Sequence, residues 1–109
     1  MAKGGYLGEF EHLVLLALLR VDDAYGVTVR HEIAARTDRD VAIGAVYATL
    51  DRLEEKGYVK SWTGEPTAER GGRAKRHFRV TAKGMAAVNR THEALRSMAE
   101  GIAGVRSFA

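Results

Sequence analysis

The hydrophobic pattern at the start of the chain predicts a helix over residues 8–20. Its first turn carries acidic residues, which the positive end of the helix dipole favours. The middle of this segment, from Leu13 to Leu19, is apolar on every side. Because a helix that is apolar all round is usually enclosed on more than one side, we expect Leu13 and Leu16 to contact a second copy of the chain.

Two further helices are predicted from apolar side chains that recur at helical spacing. The first covers residues 24–37 and follows a turn in which an aspartate can cap the helix. The second covers residues 43–56 and ends at Gly57, a typical helix C-cap. Its apolar stripe has offsets of four and three residues: Val46, Leu50 and Leu53.

The pattern then changes from helical to strand-like. Residues 58–62 are a strand candidate, residues 77–80 are a returning strand, and the segment between them, which holds the only proline, is predicted to be an exposed loop. Thr81 is a good N-cap for a last helix that we expect to run to about residue 104. This order of elements predicts a mainly α fold of the α+β type in one structural domain.

Positions along the last predicted helix follow the heptad spacing of a coiled-coil seam. The seam alternates offsets of three and four residues: Met85, Val88, His92, Leu95, Ala99 and Ile102. A helix of about 24 residues extends for about 36 Å, which is longer than so small a domain can cover. We therefore expect a homodimer, and a helix folded back along its own domain is the alternative. His92 is more often a packing residue at such a place than a pH switch, although imidazole titrates near neutrality.

Composition and charge narrow the class of protein. The 109 residues carry a net charge of +3 and no cysteine, which excludes disulfides and thiol chemistry and makes a cytoplasmic setting the default expectation. No secretory signal is visible at the start, and the longest apolar run is too short to span a bilayer. Residues 58–80 hold six Lys or Arg against two Glu, so one segment supplies all the excess positive charge, as expected where one face meets a polyanion.

The third predicted helix carries candidate chemistry on its outer surface. One flank is small at its beginning and basic toward its end: Ala45, Ala48, Thr49, Arg52 and Lys56. Small residues let a helix approach the base edges of a DNA duplex, and Arg or Lys reaches bases or phosphates. The other flank, with Asp51, Glu54 and Glu55, must then point away from the phosphates. An ordinary amphipathic helix with a solvated face is the alternative.

The predicted hairpin adds a second group of cations, in or beside its glycine-containing turn: Arg70, Arg73, Lys75 and Arg76. Mobile cations of this kind bind phosphate backbones, and a solvated loop is the alternative. A duplex can touch both groups only if the cationic turn and the flank with Thr49 and Arg52 lie on a common side of a two-fold pair.

The chain resembles the PadR family of bacterial transcriptional regulators over nearly its whole length. Four segments, in the right order and with the right gaps, carry the resemblance: LGEFEHLVLLALL, AYGVTVRHEI, IGAVYATLDRLEEKGYV and GGRAKRHFRVTAKG. The third is similar to the family's recognition helix, and the fourth to its wing and the start of its last helix. The chain departs from frequent family residues at Val27, Ala42, Ala48 and Ala74, so operator preferences are not carried over from other members.

The resemblance implies a winged helix-turn-helix DNA-binding domain in residues 1–80 and a C-terminal dimerisation helix with a short tail in residues 81–109. It also implies a homodimeric repressor of a near-palindromic operator on double-stranded DNA, which a small aromatic or hydrophobic effector at the dimer interface can release. Tyr47 lies beside the apolar stripe, so it is either a packed tyrosine or a phosphate contact. The implied DNA-facing residues are Ala45, Tyr47, Thr49 and Arg52 on the third helix and Arg73, Lys75 and Arg76 in the wing.

Two other classes of function were weighed against DNA binding. An enzyme is not expected, because the four histidines make no pair at metal-ligand spacing on one helix and no phosphate loop or nucleophile motif is present. We therefore expect no cofactor, metal or catalytic residue. A winged-helix module that uses its basic hairpin for an acidic protein partner is the remaining alternative. Trp62 is expected to pack against the wing rather than to form a ligand platform.

Overall fold

The computed structural model describes residues 5–64 and 75–106, which form four helices and a two-stranded antiparallel sheet. In chain order the elements are α1 Glu9–Arg20, α2 Gly26–Thr37, α3 Ile43–Glu55, β1 Val59–Thr63, β2 Arg76–Val80 and α4 Ala82–Ala99. The predicted order of elements and the mainly α fold with a small β hairpin are confirmed.

Local signals at two helix ends act as the sequence predicts. Gly57 follows α3 with a φ of 81°, a left-handed conformation that favours glycine. The N–H of Tyr58 then donates to the carbonyl oxygen of Leu53 at 2.9 Å, which closes α3 and leads the chain into β1. At the start of α4, the Thr81 hydroxyl accepts a hydrogen bond from the N–H of Gly84 at 3.0 Å, so the predicted N-cap is confirmed.

The hairpin is fixed to the helical body through β2. β1 and β2 pair antiparallel, with Trp62 opposite His77. On the other edge of β2, the N–H of Phe78 donates to the carbonyl oxygen of Ala24 at 2.9 Å, and Tyr25 forms a β-bridge with His77. β2 therefore has a backbone partner on each side, which orients the hairpin relative to α1 and α2.

The hydrophobic core decides which face of α3 turns inward. The predicted apolar stripe of Val46, Leu50 and Leu53 is fully buried. It belongs to one cluster with side chains from the other elements: Val14 and Leu15 of α1, Val29 and Ile33 of α2, Phe78 of β2 and Val88 of α4. Because an α-helix has 3.6 residues per turn, burial of this stripe turns the opposite face of α3 outward.

The last helix is shorter than the sequence predicts. α4 ends at Ala99 rather than near residue 104. Gly101, two residues later, has a φ of 81° and Gly104 a φ of 89°, conformations that α-helices do not contain. Ile102, which was expected on the helical seam, therefore lies beyond the helix.

The contact stripe of α4 also differs from the predicted seam. Val88 is buried in the core of its own chain, so its side chain is not available to a second copy. The stripe continues through Thr91, whose hydroxyl accepts a hydrogen bond from the N–H of Leu7 at 3.0 Å. Met85 and His92 lie beside this stripe and are exposed. Sequence periodicity alone does not reveal which face the N-terminal segment covers.

Gly84 provides a test of the packing of α4 on the hairpin. A Cβ at this position would lie 2.2 Å from the carbonyl oxygen of Tyr58. Since backbone atoms cannot swing aside, Gly84→Ala should lower the free energy of unfolding by about 2–3 kcal/mol, measured by urea titration at fixed protein concentration. Gly44→Ala is the control: nothing lies within 4 Å of its Cβ, and stability should be unchanged or rise by up to about 1 kcal/mol. Equal losses would contradict this packing.

Candidate nucleic-acid interface

The outward face of α3 is a narrow ridge that begins with small residues. Gly44, Ala45 and Ala48 are exposed, and Asp51 and Glu55 continue the ridge toward the C-terminal end of the helix. We call these five residues the α3 ridge. Small side chains let the backbone of a helix come close to another surface, which is what insertion into the major groove of DNA requires.

The basic flank of α3 is tied to α1 through Glu11. Lys56 Nζ lies 2.8 Å and Arg52 Nε 3.8 Å from Glu11 Oε2, while Glu11 Oε1 accepts the N–H of Gly8 at 3.0 Å. Burial on its own raises the pKa of Glu11. The hydrogen bonds from Lys56 and Gly8 and the two nearby cations outweigh burial and hold that pKa below its usual value of 4.5. An ionised Glu11 therefore joins the start of α1 to the end of α3.

Thr49 is buried, which corrects the expectation that it faces DNA. Only 2% of the residue is exposed, and its hydroxyl accepts a hydrogen bond from Arg52 Nη2 at 3.2 Å. Thr49 lies three residues after Val46 and four before Leu53, so it shares the inward face of α3 with the apolar stripe. Arg52 keeps 54% of its side chain exposed and remains at the edge of the α3 ridge.

The acidic flank of α3 holds the wing through Arg76. The guanidinium nitrogens of Arg76 lie 2.9 Å from Asp51 Oδ1 and 2.5 Å from Glu54 Oε1. Ser61 donates its hydroxyl to the other oxygen of Glu54 at 2.7 Å. The hydrogen bond from Ser61 lowers the pKa of Glu54, burial opposes it, and the hydrogen bond and charge of Arg76 lower the pKa further, so that the net shift is downward. Strands β1 and β2 are thus both bonded to α3.

Arg52 and Arg76, both of which the sequence predicts to face DNA, lie on opposite flanks of α3. Arg52 is on the flank that faces Glu11, whereas Arg76 is on the flank with Asp51 and Glu54. The acidic flank does not point away from the wing but binds one of its cations. The sequence predicts Arg76 as a mobile cation of the hairpin, whereas in the structure its side chain is paired with two carboxylates. The surface common to both flanks is the α3 ridge between them.

Tyr47 packs over the first turn of α2. A Cβ at Gly26 would lie 2.3 Å from Cζ of the Tyr47 ring, so the ring fills the space that any side chain at position 26 would need. Tyr47 is half-buried, which agrees with the packed tyrosine of the two interpretations. A contact between its hydroxyl and a phosphate stays a prediction.

The wing cations are described only in part. Lys75 Nζ lies 4.3 Å from the ring centre of Tyr25 and 3.2 Å from its hydroxyl. This places Lys75 beside the start of α2, at the end of the hairpin from which the turn extends. Arg70 and Arg73 lie outside the described residues, and their role stays a prediction from the sequence.

The predicted DNA-facing residues of α3 coincide only in part with the exposed face of the helix, because Ala45 and Arg52 are exposed whereas Thr49 is buried. Gly44 was not a candidate, and Ala48 was placed only within the basic flank, yet both lie on the outward face. The sequence does carry a signal for this outward face, because Gly44 and Ala48 are four residues apart on the side of the helix opposite Leu50. The two carboxylates that engage the flanks, Glu11 and Glu54, were not recognised as partners because they depend on which elements pack together.

Other titratable side chains do not assemble into a metal site. Across residues 5–64 and 75–106, no group of three or more His, Cys, Asp or Glu side chains could hold a metal ion.

Burial, and then the charge of nearby His92, lowers the pKa of His12. Within the same ranges, no helix is both long and apolar enough to cross a membrane.

The fold and the comparison with known proteins indicate the same class of protein. A three-helix body followed by a β-hairpin, with an exposed third helix, is a winged helix-turn-helix. Residues 15–90 match the family described as "Transcriptional regulator PadR-like family". The chain therefore belongs to the PadR-like family of transcriptional regulators, and the resemblance noted in the sequence is confirmed.

Solved structures share the fold. A transcriptional regulator from Clostridium thermocellum is 26% identical, with a TM-score of 0.68 and 81% of each chain covered. A PadR family transcription regulator from Clostridium difficile is 20% identical, with a TM-score of 0.67 over 82% of this chain and 90% of that one. RosR from H. salinarum is 24% identical, with a TM-score of 0.67 over 89% and 81%.

One relative is similar in sequence without an assigned role. It is an uncharacterised protein from Lysinibacillus sphaericus, 32% identical over 75 residues. The match covers 67% of this chain and 66% of the relative. Its description gives no information on function.

The ion pairs of Glu11 predict a dependence of stability on pH. Glu11→Gln should lower the free energy of unfolding by about 1 kcal/mol near neutral pH, because it removes the charge that binds Lys56. The pKa of Glu11 is lower in the folded chain, so this stabilisation is present above the unfolded-state pKa and is lost as pH falls through the folded-state pKa. In urea titrations, the difference between wild type and variant should therefore shrink below about pH 4.

The control for that experiment is Glu55→Gln, which removes the same charge from the exposed α3 ridge. Its stability should stay within about 0.5 kcal/mol of the wild type. A loss in Glu11→Gln that is equally large at every pH would contradict the charge-dependent role of Glu11.

Proposed function

We propose that this PadR-like regulator binds double-stranded DNA as a homodimer, with the α3 ridge in the major groove and the wing beside the flanking backbone. The single observation that carries the proposal is the α3 ridge, an exposed helix face that begins with Gly44, Ala45 and Ala48. The major groove is about 12 Å wide and admits one α-helix. Such a helix reads base edges only if its outward side chains leave room for close approach.

The charges around the α3 ridge support this orientation. Arg52 lies at the edge of the α3 ridge and Lys75 beside the start of α2, and both cations attract phosphates. Arg70 and Arg73, which lie outside the described residues, are proposed as further phosphate contacts on the basis of the sequence. Carboxylates on the ridge would repel phosphates, but Arg76 pairs with Asp51 at 2.9 Å and reduces that repulsion. A regulator that acts on chromosomal DNA in this way would work in the cytoplasm.

The exposed end of α4 supports the second copy in the proposal. Leu95 and Met98 continue the stripe of Val88 and Thr91 toward the end of α4 and are 49% and 77% exposed. Burial of such apolar surface stabilises association. A two-fold mate that uses the same stripe is the simplest cover. Leu16, 38% exposed on the neighbouring face of α1, can join that contact.

The two-fold symmetry of the proposed dimer determines the symmetry of its operator. Two α3 ridges related by two-fold symmetry read the same half-site twice in opposite directions, so the operator should be a near-palindrome. We expect half-sites about 34 Å apart, one turn of the duplex. Repression is the expected outcome, because a dimer held on such an operator blocks access to the DNA it covers.

A groove between the N-terminal segment, α1 and α4 is the proposed effector site. It has a volume of about 500 Å³, and Tyr6, His12, Leu95 and Met98 are among its lining residues. We infer that it takes a small aromatic or hydrophobic molecule, since its lining is mostly apolar. Because Leu95 and Met98 also belong to the proposed dimer contact, a ligand here would change how two copies pair.

Ala48 at the centre of the α3 ridge gives the sharpest test of DNA binding. An operator is first selected in vitro from a random duplex pool, and affinity is measured by fluorescence anisotropy at fixed salt. Ala48→Glu should lower affinity by about 100-fold or more, because it places bulk and negative charge against the duplex. Ala35→Glu is the control, since it makes the same change at an exposed position of α2, and its affinity should stay near that of the wild type.

Two outcomes would contradict the proposed DNA interface. The first is an Ala48→Glu variant that folds and binds the operator as tightly as the wild type. The second is a flat response of duplex binding to salt, because phosphate contacts make affinity fall steeply as salt rises. A flat response would favour the alternative of a protein-interaction module with an acidic protein partner.

The dimer is tested at the exposed end of α4. Leu95→Glu should give a monomer at micromolar concentrations in sedimentation equilibrium, because pairing would bury an unpaired carboxylate. Ser97→Glu is the matched control on the opposite side of the same helix, and it should remain dimeric. A wild-type chain that sediments as a monomer at every concentration would contradict the two-fold arrangement.

A further inference from the structure

A separate cleft lies at the base of the wing. It has a volume of about 480 Å³ and is formed by the end of α1, the turn that follows it and both strands. Its lining shares no residue with the α3 ridge or with the α4 groove. Small-molecule sites typically have volumes of about 300–1,000 Å³, so the cleft is large enough for a ligand that neither DNA binding nor pairing requires.

The indole ring of Trp62 forms one wall of this cleft. As the sequence predicts, Trp62 packs against the wing: it stacks on His77 with ring centres 5.6 Å apart and planes 21° from parallel. It nevertheless remains 49% exposed, and Leu19, which lines the same cleft, is 43% exposed. An open aromatic surface beside an exposed aliphatic side chain favours a flat, apolar ligand.

The ring system behind Trp62 is held in place before any ligand arrives. His77 Nδ1 lies 3.2 Å from Asp23 Oδ1, and the Tyr25 ring meets His77 edge-on with centres 5.8 Å apart. Arg79 places its guanidinium carbon 6.0 Å from the centre of the Trp62 ring. A wall that is already ordered loses little conformational entropy when a ligand binds.

The cleft also contains two carboxylates, of which one has a partner in the fold. Asp22 and Asp23 both line it. Asp23 is engaged by His77, whereas exposed Asp22 forms no ion pair within the described part of the chain. The cation of the cleft, Arg79, is placed at the indole ring instead. A ligand with a positive group would therefore find a carboxylate without a competing partner.

We propose that this cleft is a binding site for a small, flat aromatic cation. The ligand's ring lies against Trp62 and Leu19, and its ammonium group faces Asp22. The aromatic contact supplies apolar burial, and the charge pair at the rim selects cations over anions of the same shape. The proposal does not depend on DNA binding, because none of these residues belongs to the α3 ridge.

The test uses the fact that the chain has one tryptophan. The indole N–H of Trp62 gives a single resonance in a ¹⁵N–¹H spectrum of the full chain, which reports occupancy directly. 1-Naphthylmethylammonium is titrated first, and 1-naphthoate, which has the same ring and the opposite charge, second. The ammonium probe should shift the resonance in a saturable way, with a Kd at least about tenfold lower than that of the naphthoate.

Variants then separate the charge from the ring. Asp22→Asn should raise the Kd of the ammonium probe at least about fivefold. Asp38→Asn removes the same charge from the far end of α2, where asparagine tolerates the φ of 62°, and should leave the Kd unchanged. Trp62→Ala, followed by calorimetry and checked for folding by urea titration, should abolish binding.

Three results would overturn the proposal. The first is an indole resonance of Trp62 that does not shift at millimolar concentrations of the ammonium probe. The second is a Kd for the naphthoate equal to that for the ammonium probe. The third is calorimetric binding of the ammonium probe to Trp62→Ala, which would place the probe in another groove. DNA affinity is not a readout in any arm. A failure here is therefore distinguishable from a failure of the proposed DNA interface.

Discussion

The rest of the structure depends on burial of the apolar stripe of α3, and two ion-paired contacts then hold this helix by its flanks. Glu11 binds Lys56 and Arg52 on one flank, and Arg76 binds Asp51 and Glu54 on the other. The apolar stripe decides which face of α3 is inside, and these contacts resist rotation about the helix axis. The outward ridge, the position of the wing and the relation of both to α4 follow from an α3 that is fixed in this way.

The sequence was sufficient where local chemistry decides the outcome. The apolar stripe of α3, the left-handed Gly57 and the cap at Thr81 are all set by a few neighbouring residues, and each was predicted correctly. The order of helices and strands followed, as did the class of fold. Helical periodicity and end signals are encoded within a window of about ten residues, so a single sequence is enough to read them.

The sequence was insufficient where distant elements meet. Thr49 and Val88 are buried by elements far from them in the chain. Arg76 reaches its carboxylates on α3 only because β1, the partner strand of β2, packs against that helix. A projection gives the angle of a residue around its own helix but not the identity of its neighbour. The early end of α4 was missed for a different reason, because Gly101 breaks a heptad pattern that continues past it.

The exposed positions of α3 contribute less to folding than its other positions. Residues on the buried stripe and on both flanks contribute to folding, whereas nothing lies within 4 Å of a Cβ placed at Gly44, and Ala48 is exposed as well. Changes at these positions cost little folding free energy. Under the DNA interface proposed above, substitutions at a few solvent-facing positions would change the DNA sequence that descendants of this chain prefer, with no compensating change in the interior.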